Sequence, residues 1–178
     1  LSEGQPPDPY TILKAAHQEI LDELKGLITP LTERAPERPF EQVMKGVLGL
    51  VKRLTHHLRL EEQHLYTLLR SRLPEGAYLS DEMLKEHKAI FKQLRGLRTL
   101  VRRPGRVPGK GELKQRLLAL EQFLTHHFAK EEQVVLWTAE VRLNREAWIY
   151  LSKRLSRKRR PNTYLNAEAE SRAAESCG

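Results

Sequence analysis

The sequence predicts an all-α fold, an antiparallel up-down-up-down four-helix bundle with an internal two-fold repeat and a short C-terminal helix. Three observations carry this expectation. Apolar residues recur at spacings of three and four over long stretches with almost no strict alternation. Proline and glycine cluster between those stretches. One segment recurs at an offset of 70 residues.

The first helix carries the stripe Leu13, His17, Ile20, Leu21, Leu24 and Leu27, and the segment from Pro30 to Pro39 separates it from the second. The second stripe runs through Val47, Leu50, Leu54, His57, Leu58, Glu61, Leu65 and Leu68 and stops before Pro74-Glu75-Gly76. Ser80 is the expected N-cap of the third helix, whose stripe is Leu84, His87, Ile90, Phe91, Leu94 and Leu97. After the break from Pro104 to Gly111 comes the fourth, with Leu117, Leu120, Leu124, His127, Phe128, Glu131 and Val135. Connections this short place consecutive helices antiparallel. A shorter fifth helix is expected after Asn144, ending near Arg160-Pro161. The organisation is then a bundle over 9–140, a basic helix over 141–160, and a tail over 161–178. That tail is rich in Ala, Glu and Ser and is expected to be disordered.

Composition narrows the function classes. A chain of 178 residues suits one domain. With 39% hydrophobic and 30% charged residues it reads as a water-soluble protein, since no run approaches the roughly 20 apolar residues of a membrane helix. The net charge of +8 favours an acidic partner or aids solubility. Cys177 is the single cysteine, so an intrachain disulfide framework and a multi-thiolate metal site are both excluded. The chain starts at Leu1 with no charged-then-apolar leader in view, and a cytoplasmic protein is expected.

The repeat concentrates the chemistry. Leu54-Thr55-His56-His57 followed by Glu61-Glu62-Gln63 returns as Leu124-Thr125-His126-His127 followed by Glu131-Glu132-Gln133. The same shift carries His17, Ile20, Leu24, Gly26 and Leu27 onto His87, Ile90, Leu94, Gly96 and Leu97. A helix pair is used twice. Four histidines and two glutamates therefore face the core as a symmetric set. An unpaired ionised carboxylate in a core costs several kcal/mol or is forced to protonate, so Glu61 and Glu131 need a compensating group. Residues four apart share a helix face, which aims His57 with Glu61, and His127 with Glu131, at one point. His17 and His87 add one imidazole each from the other helices. Neutral imidazole with carboxylate suits iron, manganese or zinc, and the symmetry favours two ions with both carboxylates bridging.

One histidine on an apolar stripe is an ordinary core residue, and one His-x3-Glu pair an ordinary helix contact; the duplicated conjunction is neither. His56 and His126 lie about 100° off the stripe and read as surface or supporting residues. Glu62 and Glu132 read as solvated. His64, three residues past Glu61 with Val134 as its repeat partner, is a candidate additional ligand.

The paired His-His-x3-Glu-Glu segments, each preceded by a helix with a lone inward histidine, resemble the hemerythrin-like (HHE cation-binding) domains over about residues 9 to 140. The resemblance implies a non-heme di-iron centre in a four-helix bundle, with two iron ions joined by an oxo or hydroxo bridge. Carried onto matching positions, His17, His57, His87 and His127 are terminal ligands and Glu61 and Glu131 bridge the pair. Two departures from the oxygen carriers stand out. Phe91 occupies the position four after His87 where they have a second histidine, and Glu131 stands where they have an aspartate. The ligand count is similar to that of the di-iron iron–sulfur-repair proteins, without their cysteine-containing N-terminal domain.

The implied function is to bind or reduce oxygen, peroxide or nitric oxide, with an electron donor as a further partner. Peroxidase, catalase or oxidase turnover is left open, and the alternative is iron buffering or sensing. A third reading, a nucleic-acid or acidic-membrane binder, rests on Lys153, Arg154, Arg157, Lys158, Arg159 and Arg160. Cations favour helix C-termini and no aromatic reading surface accompanies the run, so a solvated helix end is preferred and nucleic acid is not the expected partner.

Overall fold

The computed structural model describes residues 7–32 and 39–156. Helix α1 is Pro9–Thr32. Helix α2 covers 40–72 as Phe40–Leu60, a π-helical turn Glu61–Tyr66 and Thr67–Arg72. Helix α3 is Gly76–Arg102. Helix α4 covers 110–142 as Lys110–Lys130, a second π turn Glu131–Leu136 and Trp137–Arg142, and helix α5 is Arg145–Leu155. Helix α1 packs on α2 and α4, and α3 packs on the same two, so the four long helices close into a bundle.

Local chemistry sets the ends. The Asp8 carboxylate accepts from the Thr11 amide at 2.9 Å and caps α1. The Asn144 side chain does the same for α5, accepting from the Ala147 amide at 2.9 Å. Trp148 Nε1 donates to Asp8 at 3.2 Å, which ties α5 back to the start of α1.

Two expectations need correction. Pro30 lies inside α1, whose last turn continues to Thr32. A proline there forfeits one helical hydrogen bond, while Thr29 and Thr32 each donate a hydroxyl hydrogen bond four residues back. Ser80 is no N-cap: it is buried within α3 and donates to the Gly76 carbonyl at 2.6 Å and lies 3.2 Å from that of Tyr66. The helix starts a turn earlier because Gly76 admits a close approach, a Cβ there falling 1.9 Å from the Leu69 carbonyl oxygen. The core stripe of α2 continues at Leu68, as the sequence predicts, and takes in Leu69 beside it, fully buried.

The π turns bring in that added position. Each inserts one residue into the helical repeat. Buried positions spaced by four then follow, Glu61, Leu65, Leu69 and Leu73 in one half and Glu131, Val135, Ala139 and Leu143 in the other, with Tyr66, Leu68 and Leu136 buried beside them. The Thr67 hydroxyl donates to the Glu62 carbonyl five residues back at 3.0 Å, satisfying an acceptor that the wider turn leaves over.

The core has two apolar bodies. One contains Ile20, Leu54, Leu58, Ile90, Leu124 and Phe128; the other contains Leu13, Leu65, Tyr66, Met83 and Val135. His17, Glu61, His87 and Glu131 fall between these residues on their respective helices, so a polar layer crosses the bundle between two dry plugs. The fifth helix ends at Leu155, and the predicted continuation to Arg160, the cations Arg157 to Arg160 and the tail lie outside the described residues. No helix among the described residues is long and apolar enough to cross a membrane.

Candidate metal centre

Each of the four long helices contributes to the polar layer. His17 comes from α1, His57 and Glu61 from α2, His87 from α3, and His127 and Glu131 from α4; all six are buried. His56 and His126 are exposed, as their position off the stripe predicts.

Within the layer, Glu61 spans two groups. Its Oε1 lies 2.8 Å from His57 Nε2 and 3.2 Å from His17 Nε2, while its Oε2 lies 3.6 Å from His87 Nε2. Ligand atoms of His17, His57 and Glu61 gather within 4.8 Å of one another, and so do those of Glu61, His87 and His127. Glu131 belongs to neither trio. Its Oε2 is 3.4 Å from His17 Nε2, and its Oε1 accepts a hydrogen bond from the Tyr66 hydroxyl at 2.7 Å.

The donor set fits a cation. His57 Nε2, His127 Nε2, Glu61 Oε2 and Glu131 Oε2 are all buried without a hydrogen-bond partner. Such atoms are rare because each costs the desolvation of a polar group. Four such atoms in one layer, several at close approach yet lacking hydrogen-bond geometry, are what the donor set of a cation leaves unpaired. Imidazole and carboxylate are borderline and hard donors suited to first-row transition ions.

A proton partly fills the role of the cation in the metal-free protein. Burial alone lowers the His17 pKa, but hydrogen bonds and charge from Glu131 and Glu61 overcome it and raise the value to about 10. For Glu61 burial pushes upward, and the charge on His57 with the His17 hydrogen bond outweighs it, holding the carboxyl well below its ordinary value. Burial depresses His87.

These shifts give a pH dependence with a definite sign. Because the folded His17 pKa lies above 6.5, its contribution to metal-free stability is complete below that pH and is lost as pH rises towards about 10. Above pH ~7.5 the depressed His87 is neutral in both states and adds nothing. The urea midpoint of metal-free protein should therefore fall between pH ~7.5 and ~9.5; a constant or rising midpoint contradicts the assignment.

Three carboxylates stand behind the histidines. Glu132 lies 2.9 Å from His17 Nδ1, Glu62 3.1 Å from His87 Nδ1, and Glu86 2.7 Å from His127 Nδ1. The reading of Glu62 and Glu132 as solvated is therefore corrected: both are partly buried and reach across to the neighbouring helix. A carboxylate on Nδ1 fixes the tautomer that leaves Nε2 as the inward lone pair.

His64 is not brought into the layer. It lines a groove between α2 and α5 with Gln63, Thr67, Ser71, Glu146 and Tyr150, and burial together with Arg154 lowers its pKa. The wider turn presents Tyr66 inward instead, its hydroxyl 3.1 Å from His87 Nε2. Sequence reasoning missed Tyr66. Its signal was a polar ring at a position whose repeat partner, 70 residues on, is Leu136.

The family model for the hemerythrin HHE cation-binding domain matches residues 8–138. No curated protein and no solved structure matches the chain.

Proposed function

Since the chain belongs to the hemerythrin HHE cation-binding family, and so to metal-binding helical proteins, we propose that it holds two iron ions and acts on oxygen, peroxide or nitric oxide. The observation that carries this reading is the layer of four buried histidines and two buried glutamates, with unpartnered ligand atoms on both sides of Glu61. His17 and His57 would hold one ion, His87 and His127 the other, with Glu61 and Glu131 between them. When bound, the iron pair supplies Lewis acidity and one-electron redox capacity to a small diatomic or peroxide ligand.

The chain's own residues set the conditions. Phe128 stacks on the His17 ring at 4.0 Å between centroids, which fixes its plane. Phe91 meets His87 edge-on at 6.2 Å, so the place of a further histidine is taken by an apolar ring that supplies no ligand. The two apolar plugs exclude bulk water above and below the layer. Tyr66 holds one Glu131 oxygen and leaves the other directed at the layer. At the surface, an open groove of about 620 Å³ is lined by Arg59, Glu62, Lys85, Lys88 and Phe91, of which Glu62 and Phe91 also contact His87.

With four histidines rather than the larger complement of the oxygen carriers, reaction of the reduced protein with oxygen should end in oxidation. Stopped-flow mixing of reduced, iron-loaded protein with oxygen is the test, with nitric oxide as the parallel probe. Rapid conversion to the ferric spectrum, and a new absorption on adding nitric oxide, are expected. Oxygen uptake that reverses under vacuum would make the protein a carrier, and no reaction with any of the three ligands would favour an iron buffer.

A further inference from the structure

The 70-residue repeat allows each half of the layer to be checked against the other. His17 corresponds to His87, His57 to His127 and Glu61 to Glu131. Behind them, Glu132 on His17 Nδ1 and Glu62 on His87 Nδ1 are also equivalent, since 62 + 70 = 132. The equivalence ends at the remaining pair. Glu86 lies 2.7 Å from His127 Nδ1, and its other oxygen accepts from Lys130 Nζ at 2.8 Å. Subtracting 70 places Ala16 opposite Glu86 and Leu60 opposite Lys130. Neither replacement has a polar side chain, and among the described residues none hydrogen-bonds His57 Nδ1. His57 is also 8% exposed where His127 is 0% exposed.

An imidazole whose Nδ1–H is held by a carboxylate is fixed in orientation and tautomer and is the more basic ligand through Nε2. His127 has this support, and Lys130 keeps Glu86 aimed. The same ring in the other half meets Glu61 through Nε2 but has no carboxylate behind it on Nδ1, and it lies at the more exposed edge of the layer.

We propose that the two metal positions are unequal: the one at His87 and His127 fills first and binds tightly, the one at His17 and His57 is the exchangeable position, and Glu86 is the positioning residue that separates them. The inference rests on the paired-metal reading above. It assigns the chain a mixed behaviour, with one ion retained as structure and a second able to leave and return.

Titration of metal-free, full-length protein with cobalt(II) under argon tests it, followed by calorimetry and by the visible bands. Two steps are expected, with dissociation constants separated by about 10–100-fold, the effect of a supporting hydrogen bond on metal affinity. Glu86→Gln should weaken the tighter step by about that factor and leave the weaker one in place. Glu86→Asp should restore part of the gap, which a general loss of folding does not do, and Lys130→Met should move the same step in the same direction. Two steps differing by no more than the statistical factor for identical sites would overturn the proposal, as would unequal steps indifferent to both Glu86→Gln and Lys130→Met. Uptake of one ion or none by the wild-type chain would contradict the paired centre itself, an outcome visible in the stoichiometry before any ratio is taken.

Discussion

Glu61→Ala should empty both metal positions, the largest single-residue effect expected in this protein. Among the described residues Glu61 is the one whose ligand atoms gather with both histidine pairs, Oε1 facing His17 and His57 and Oε2 facing His87. Losing a direct ligand exceeds the roughly 10–100-fold cost of losing a supporting partner, and here two ions lose it at once. Glu131→Ala should also lose metal, to a smaller extent, because one Glu131 oxygen is already engaged by Tyr66. His56→Ala and His126→Ala, on exposed side chains, should bind metal as the wild type does. Elemental analysis of the four proteins, purified side by side, separates these outcomes. Equal loss from His56→Ala and Glu61→Ala would show that the wrong face of α2 had been assigned.

Stripping the metal from wild-type protein is the second large effect. A ligand that binds only the folded chain stabilises it by about 2.7 kcal/mol at a hundredfold excess over Kd, so two ions contribute roughly 5 kcal/mol under such conditions. For a chain of this size that corresponds to a fall in Tm of roughly 10–20 °C on stripping. The direction is set by the buried carboxylates. Without an ion, Glu61 and Glu131 are left to the His17 proton and the Tyr66 hydroxyl, and each retains an oxygen with no hydrogen-bond partner. Thermal unfolding followed by circular dichroism, with and without a chelator, measures it. Coincident curves would mean that the layer is satisfied without metal.

The bundle and the six residues of the layer were legible because each is marked on its own helix. A histidine or glutamate at a stripe position needs only helical periodicity to be noticed, and the 70-residue repeat shows that it occurs twice. What stayed hidden depends on neighbours. Glu62, Glu86 and Glu132 sit beside the stripe of their own helices and look solvated there, but their side chains cross to histidines on the adjacent helix. Facing arguments made one helix at a time do not reach such contacts. The π turns at Glu61–Tyr66 and Glu131–Leu136 alter phase by one residue without proline or glycine to announce it. That phase change is why His64, inward on an ideal helix, lines the groove towards α5 while Tyr66 takes the inner place. Ser80 misled for a related reason: serine is common at N-caps, but here it bonds back within a buried helix and leaves the helix start to the Gly76 turn.

The most direct test of the paired centre is the iron content of protein produced with iron, read together with the optical spectrum of the air-oxidised form. About two iron atoms per chain with the near-ultraviolet charge-transfer absorption of a bridged ferric pair are expected from two His–His groups sharing Glu61 and Glu131. One metal per chain, or zinc alone at full occupancy with no such absorption, would contradict it.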